Sequence, residues 1–207
     1  NPRGEIFICG WTNSPNFPVT PNAHDTTFTN DGLYDSFVMK IDSTLTTILW
    51  STFIGDEGWQ DAYTMDIDKD DNVYVGGINV WSSDDGAVTF NPAAHWTLNY
   101  GATVHADIHF IETQPSTGNI FVCNDGGLYR TDTLITQTWT AANGGSPWPT
   151  TWTNISSGMA ITSFYRLSSS RNATGRLAAG AQDNATFYFD GSSWNTIFGG
   201  DGMDNYL

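Results

Sequence analysis

Positive charge is scarce in this chain of 207 residues. Seven Lys and Arg stand against twenty-two Asp and Glu, which gives a formal net charge of −15 at pH 7. Nucleic acids and anionic membrane surfaces both require a basic footprint, so this charge disfavours them as partners. Cations, neutral sugars and basic proteins stay open.

Long apolar runs and sustained helical periodicity are also missing. No run approaches the roughly 18 residues that a membrane helix needs, and no charged-then-apolar leader is present, so we expect no membrane insertion. The 21 Gly, 9 Trp and 12 Phe are typical of short strands joined by turns. We therefore expect an all-β chain of one domain or two small ones. Because it begins at Asn1 without Met, we expect a mature fragment of a longer protein.

Cysteine is limited to two residues. Cys9 lies in "EIFICG" and Cys123 in "NIFVCN", so the two occupy the same place in similar segments. If these segments belong to different repeats, the sulfur atoms are too far apart to bond. We therefore expect two free thiols, and cysteine usage does not fix the redox compartment.

A recurring apolar segment followed by a turn organises the chain. "EIFICG", "NVYVGG", "NIFVCN" and "RLAAGA" begin at Glu5, Asn72, Asn119 and Arg176. Their spacing is about that of one four-stranded propeller blade with insertions. The sequence thus predicts a β-propeller fragment made of four-stranded antiparallel blades. "DSFVMKID", "TILWSTFIG", "DAYTMDID" and "NVYVGG" are the four strands expected to form one blade.

Residues 1–79 resemble the SBBP type of bacterial β-propeller repeat. The resemblance rests on "GWTNSPNFPVT", "DSFVMKID", "STFIG", "DAYTMDID" and "NVYVGG", which follow one another in the order of that repeat. Residues 80–207 resemble Asp-box (BNR) propellers of the sortilin-like and xyloglucanase-like kind. "VHADIHF", "NDGGLYRT", "GAQDN" and "GGDGM" carry this second resemblance. The second resemblance implies a large secreted or cell-surface protein of Bacteroidota, and many such proteins are exported by type IX secretion.

One segment of the sequence resembles an Asp-box. Ser83, Asp85, Thr89 and Phe90 fit its S-x-D-x-G-x-T-W pattern, with Ala87 in place of the glycine. A second register uses Ser82, Asp84 and Gly86 but needs one extra residue before Phe90. Either register predicts a hairpin turn rather than catalysis.

Two acidic or histidine-rich segments are candidate metal sites. If "VHADIHF" is a strand, side-chain alternation puts His105, Asp107 and His109 on one face, as a transition-metal site requires. Such neighbours lie about 7 Å apart, so hydrogen bonding within the fold is the alternative. "DIDKDDN" groups carboxylates that can bind Ca²⁺ weakly, or it is a tight turn between strands. Its candidate Ca²⁺ ligands are Asp66, Asp68 and Asp70.

A catalytic role is open for three aspartates. "NDGGLYR" resembles the segment that carries one catalytic aspartate of xyloglucanase-like enzymes, which designates Asp125. Inverting hydrolysis needs a second carboxylate about 6.5–9.5 Å away, and Asp183 or Asp201 is the candidate. The alternative is that all three belong to Gly-assisted turns, with Asp125 accepting backbone hydrogen bonds.

Aromatic residues near loops favour binding over catalysis. The candidate platforms for sugars or protein partners are Trp11, Trp59, Trp81 and Trp148. Asn154, Asn172 and Asn184 begin N-x-S/T sequons, which indicate exposed loops. We therefore expect a binding, adhesive or scaffold module whose partners are other blades, partner subunits or glycans. A glycoside hydrolase acting through paired aspartates is the alternative.

Overall fold

The computed structural model describes residues 1, 3–29, 34–55, 62–96, 104–132 and 152–203. These residues form fifteen β-strands. The first seven are β1 Ile6–Thr12, β2 Asp35–Ile41, β3 Ile48–Ile54, β4 Thr64–Ile67, β5 Val73–Gly76, β6 Val80–Ser83 and β7 Asn91–Ala94. The others are β8 Ile108–Thr113, β9 Ile120–Asn124, β10 Gly127–Thr131, β11 Thr153–Asn154, β12 Phe164–Ser169, β13 Leu177–Ala181, β14 Thr186–Phe189 and β15 Trp194–Phe198. None of the described residues belongs to a helix long and apolar enough to cross a membrane.

Consecutive strands pair into four antiparallel sheets. Sheet 1 is β1-β2-β3, sheet 2 is β4-β5-β6-β7, sheet 3 is β8-β9-β10-β11 and sheet 4 is β12-β13-β14-β15. Each strand neighbours the next one in sequence, which is how the strands of a propeller blade are connected. The predicted fold class, all-β with antiparallel propeller blades, is confirmed, and within the described residues sheet 1 has three strands where four were expected.

The chain divides into two compact units. Sheets 1 to 3 belong to the first unit, Asn1–Ser157, and sheet 4 belongs to the second, Gly158–Leu207. The change of repeat type predicted after residue 79 falls between β5 and β6, which pair within sheet 2. That change of repeat type stays a prediction.

The strand grouping predicted for the first complete blade is wrong. β2, β3, β4 and β5 were expected in one sheet, but sheet 1 ends at β3 and sheet 2 begins at β4. A short connection can join two paired strands or lead to the next sheet, and strand sequences alone do not distinguish the two. The repeated segment consequently forms the second strand of sheets 2, 3 and 4, as β5, β9 and β13, but the first strand of sheet 1.

Two apolar clusters hold the first unit together. One contains Val38 and Ile54 of sheet 1 with Val73, Val75 and Trp81 of sheet 2. The other joins sheets 2 and 3, and its members include Tyr74, Val80, Ile108, Ile111 and Val122. Alternate residues of β5 thus enter different clusters, which explains why this strand has no polar face.

The outer edge of sheet 1 is covered by the segment between β1 and β2. Thr20 donates its backbone N–H to the Ser51 carbonyl at 3.0 Å, and Phe53 donates to the Asp25 carbonyl at 3.0 Å. The backbone N–H of Ser51 in turn donates to Thr20 Oγ1 at 3.1 Å. These bonds satisfy part of the β3 edge, which would otherwise offer unpaired groups to other strands.

The two cysteines are free, as expected. Cys9 lies on the first strand of sheet 1, whereas Cys123 lies on the second strand of sheet 3. They therefore do not occupy equivalent places in their sheets, although their segments are similar. Burial raises the pKa of both thiols, which keeps them protonated at neutral pH.

Candidate functional site

The segment that resembles an Asp-box adopts the Ser83–Asp85 register. Asp85 Oδ1 accepts hydrogen bonds from the backbone N–H groups of Val88 and Thr89, both at 2.9 Å, and from Ser83 Oγ at 2.9 Å. Thr89 Oγ1 donates to Asp85 Oδ2 at 2.7 Å. Desolvation raises the pKa of Asp85, but these hydrogen bonds outweigh it and the pKa lies below its ordinary value. The carboxylate holds a hairpin, as predicted.

The alanine that replaces the glycine of the Asp-box pattern has a strained backbone conformation. Ala87 takes its place with φ at 72°, a left-handed conformation that L-residues other than Gly rarely adopt. Its backbone N–H donates to Ser83 Oγ at 2.8 Å, and its methyl group is buried between sheets 1 and 2. The methyl burial offsets part of the backbone strain.

Asp66 joins two sheets. Its Oδ2 accepts hydrogen bonds from the backbone N–H of Thr113 at 2.6 Å and from Thr113 Oγ1 at 2.7 Å. Asp66 lies on β4 and Thr113 on β8, the first strands of sheets 2 and 3. The carboxylate therefore serves a structural contact between neighbouring sheets.

The remaining acidic residues of "DIDKDDN" serve the turn between β4 and β5. Asp68 Oδ1 accepts from the backbone N–H groups of Asp70 and Asn72 at 2.9 and 3.0 Å. Asp70 pairs with Lys69 at 2.5 Å on the surface. Asp66, Asp68 and Asp70 do not form a group that could hold a metal ion in the described part of the chain. The prediction of a tight turn is confirmed.

The predicted strand face of His105, Asp107 and His109 is wrong. β8 begins only at Ile108, and Asp107 has a left-handed backbone with φ at 61°. A β-bulge between Ile108 and Phe110 then changes the direction of His109. No group of three or more His, Cys, Asp or Glu side chains that could hold a metal occurs within the described residues.

Asp125 lies at the two-residue turn between β9 and β10 and faces His109. Asp125 Oδ1 is 2.7 Å from His109 Nε2, and the imidazole is 60% exposed. The turn itself is held by Asn124, whose Oδ1 accepts from the Gly126 N–H at 3.0 Å. A Cβ atom at Gly126 would lie 2.4 Å from His105 Cβ, so this position requires glycine. The bulge positions His109 and the turn positions Asp125, so their side chains form a carboxylate–imidazole pair.

The other two candidate acids lie in the second unit. Asp201 Oδ1 accepts the backbone N–H of Asp183 at 2.9 Å, and Ala185 donates to the Gly200 carbonyl at 2.8 Å. "GAQDN" and "GGDGM" are therefore held to each other, and Asp201 serves this contact. Asp125 belongs to the first unit.

The tryptophan candidates separate by exposure. Trp11 is 51% exposed, and its ring meets that of Tyr34 edge-on at a centroid distance of 4.4 Å. Trp81 is only 8% exposed and belongs to the core between sheets 1 and 2, so as a binding platform it was a wrong prediction. Its sequence position near a turn did not reveal that β6 buries both faces. Trp59 and Trp148 lie outside the described residues.

The asparagine side chains of the three sequons differ in their hydrogen bonds. Asn154 Oδ1 accepts from the Ser156 N–H at 2.9 Å, and Ser156 is buried. Asn184 Nδ2 donates to the Gln182 carbonyl at 3.3 Å. Asn172 lies in an exposed turn between β12 and β13. Loop exposure is therefore clearest at Asn172.

Two partnerships were missed by sequence reasoning. Thr113, the partner of Asp66, is 47 residues away and belongs to no motif. His109 and Asp125 were each singled out, but in different motifs and for different chemistry. A regular antiparallel register continued from the Ile108–Asn124 pair would put Asp107 opposite Asp125, so only the β-bulge at His109 brings the imidazole to Asp125.

Comparison with known proteins gives similar structures without close relatives. No family model and no curated protein matches the chain. YCF48 from Cyanidioschyzon merolae is 11% identical with a TM-score of 0.38; the match covers 89% of this chain and 58% of that one. An acylaminoacyl peptidase from Pyrococcus horikoshii is 9% identical with a TM-score of 0.35 and coverages of 95% and 30%. The chain thus spans less than two thirds of either structure.

Proposed function

We propose that this chain is a binding or assembly module of a larger β-propeller protein. The supporting observation is exposed apolar surface on β1. Ile6 and Ile8 on β1 are 41% and 38% exposed. The corresponding residues of "NVYVGG" and "NIFVCN" are 3% exposed or less, namely Val73, Val75, Ile120 and Val122. Burying the two isoleucine side chains against another surface would contribute a few kcal/mol, which favours association of sheet 1 with a partner.

The SBBP-type and Asp-box repeats, and with them a secreted or cell-surface location, rest on the sequence resemblance. We extend the proposal to such a location on that basis. Export by type IX secretion in Bacteroidota follows from the same resemblance.

Glycan binding is a second partner class, favoured by the exposed pair of Trp11 and Tyr34. Two rings that meet edge-on form a corner whose faces can stack on a neutral sugar. An anionic sugar would be repelled by the net charge of −15.

Hydrolysis by paired aspartates has weaker support. Asp201 already accepts a backbone hydrogen bond, and Asp125 is engaged by His109. A general acid or base must be free to exchange its proton with the substrate. The accessible imidazole beside Asp125 is the one observation that favours chemistry here.

A glycan array run beside an activity assay on neutral β-glucans tests the proposal. We expect glycan binding without release of reducing sugar. Binding is reduced in Trp11→Ala and unchanged in Leu45→Ala, which removes an exposed side chain from the turn between β2 and β3. Turnover that disappears in Asp125→Asn, while the variant stays folded, would refute the binding module and support the hydrolase.

A further inference from the structure

The segment that covers the outer edge of sheet 1 also reaches sheet 2. We call residues 13–29, which lie between β1 and β2, the strap. Thr20 and Asp25 hold the strap on β3 through backbone hydrogen bonds. The ring of Phe17 packs on that of Phe53 at a centroid distance of 5.7 Å. The strap is therefore fixed to sheet 1 independently of its contact with sheet 2.

One strap residue, His24, contacts the segment that leads into the outer strand of sheet 2. Phe90 donates its backbone N–H to His24 Nδ1 at 3.2 Å, and the two rings meet edge-on at a centroid distance of 5.9 Å. Phe90 is 3% exposed and belongs to the apolar cluster between sheets 1 and 2, whereas His24 is exposed to solvent. A proton from solvent can therefore reach a ring that serves a buried backbone group.

The direction of this hydrogen bond requires a neutral imidazole. A ring nitrogen accepts a hydrogen bond through its lone pair, which the imidazolium does not have. When Nδ1 accepts, the hydrogen of the neutral ring is on Nε2. Protonation of Nδ1 would put one N–H group against another, and the buried Phe90 N–H would lose its acceptor. The contact is thus incompatible with the protonated ring.

The charged side chains near this contact are acidic. Within the described residues of the strap, β3 and residues 82–94, they are Asp25, Asp84 and Asp85. Asp25 Oδ1 accepts the Thr27 N–H at 2.8 Å, and the Asp85 carboxylate accepts hydrogen bonds within its own hairpin. Carboxylates favour the imidazolium whether the contact is closed or open. They therefore change the pH at which the contact opens, whereas the acceptor role of Nδ1 decides the direction.

We infer that His24 is a pH-sensitive latch, which fastens the strap to sheet 2 at neutral pH and releases it when the ring is protonated. This regulation is additional to the proposed binding role. The fastened ring takes up no proton on Nδ1, so the released state binds more protons and the fastened state loses stability as pH falls. With the ordinary histidine pKa of about 6.5 for the released ring, the equilibrium for release is about tenfold larger at pH 5.5 than at pH 7.5.

Amide hydrogen exchange of the complete chain, resolved at Phe90, tests the latch. The protection factor corrects for the slower chemical exchange at low pH, and at Phe90 it falls about tenfold between pH 7.5 and pH 5.5. Carboxylates of ordinary pKa stay ionised over this range. Protection at Val122, in the core of sheet 3, stays unchanged.

Three substitutions separate the titration of His24 from its packing. His24→Asn provides an amide oxygen as acceptor and no group that titrates in this range, so Phe90 stays protected at both pH values. His24→Phe keeps the ring contact without an acceptor, so protection of Phe90 is low at both pH values. His109→Asn removes an exposed imidazole from sheet 3 and retains the tenfold drop at Phe90.

Two results would overturn the latch. One is a protection factor of Phe90 that does not change with pH in the wild type, or that falls equally in His24→Asn. The other is an equal fall at Val122, which identifies acid unfolding of the whole unit. Because glycan binding and turnover are measured separately, loss of the latch leaves the proposed function to its own test.

Discussion

The contact between Asp66 and Thr113 can be tested quantitatively, because it connects two sheets through a single carboxylate. In Asp66→Ala, the Thr113 N–H and hydroxyl both lose their acceptor, and Thr113 is only 7% exposed. An unsatisfied buried donor costs about 1–3 kcal/mol. Asp66 is half-buried, so water replaces part of the loss, and we expect about 3 kcal/mol for the pair of bonds. For a chain of this size that lowers Tm by about 6–12 °C.

Urea unfolding followed by tryptophan fluorescence measures this change. Asp66→Asn keeps the shape and one acceptor oxygen, so about 1 kcal/mol is expected. Asp70→Ala is the matched control from the same segment, because the ion pair of Asp70 with Lys69 is exposed and screened by solvent, so we expect no measurable change in stability. If Ca²⁺ stabilised the wild type and both alanine variants lost that stabilisation equally, the carboxylates would be metal ligands and the structural assignment of Asp66 would be refuted.

Three further predictions address the Asp-box, the core tryptophan and a crowded glycine. The pKa of Asp85 in the folded chain lies below its ordinary value of 3.8, so its stabilisation is complete above about pH 4 and is lost as pH falls through the folded pKa. The difference in unfolding free energy between wild type and Asp85→Asn should therefore shrink from pH 5 to pH 2; a constant difference contradicts this. Trp81→Ala should cost about 3–5 kcal/mol and Trp11→Ala about 1 kcal/mol, measured by urea unfolding; equal costs would contradict their assigned burial. Gly76→Ala should cost about 1–3 kcal/mol, because its Cβ would lie 2.5 Å from Ile108 Cγ2, whereas Gly199→Ala meets no atom within 4 Å and should be neutral by the same assay.

Much of the fold could be read from local sequence, because strands and turns are specified by neighbouring residues. Apolar alternation located β5 and β9, and the Asp-box pattern located the hairpin turn, whereas only the structure decided between its Asp85 and Asp84 registers. The prediction that β3 and β4 belong to one sheet was wrong. The loop between two strands can lead back to the same sheet or on to the next one, and the strand sequences do not show which. The strand predicted through His105 and Asp107 failed for a local reason, the left-handed backbone at Asp107.

The candidate site could be predicted only as separate residues. Asp125 and His109 were both singled out, yet their pairing depends on a bulge that alternation cannot reveal. Asp66 was identified as one of a group of carboxylates, whereas its partner lies on another sheet. Trp81 and Trp11 both lie near turns in the sequence. Only their burial in the structure shows that Trp81 is a core residue and that Trp11 is exposed.

The sequence by itself determined that this chain is acidic, all-β and repetitive, because charge, strand pattern and turn residues are local properties. It also determined that a hairpin forms between Ser82 and Phe90, since every donor to the Asp85 carboxylate lies within four residues. Only the tertiary structure decided that Asp66 ties sheet 2 to sheet 3 and that Trp81 is buried between sheets 1 and 2. Those features arise where sheets meet, and the distance along the chain between their members carries no information about the distance in space.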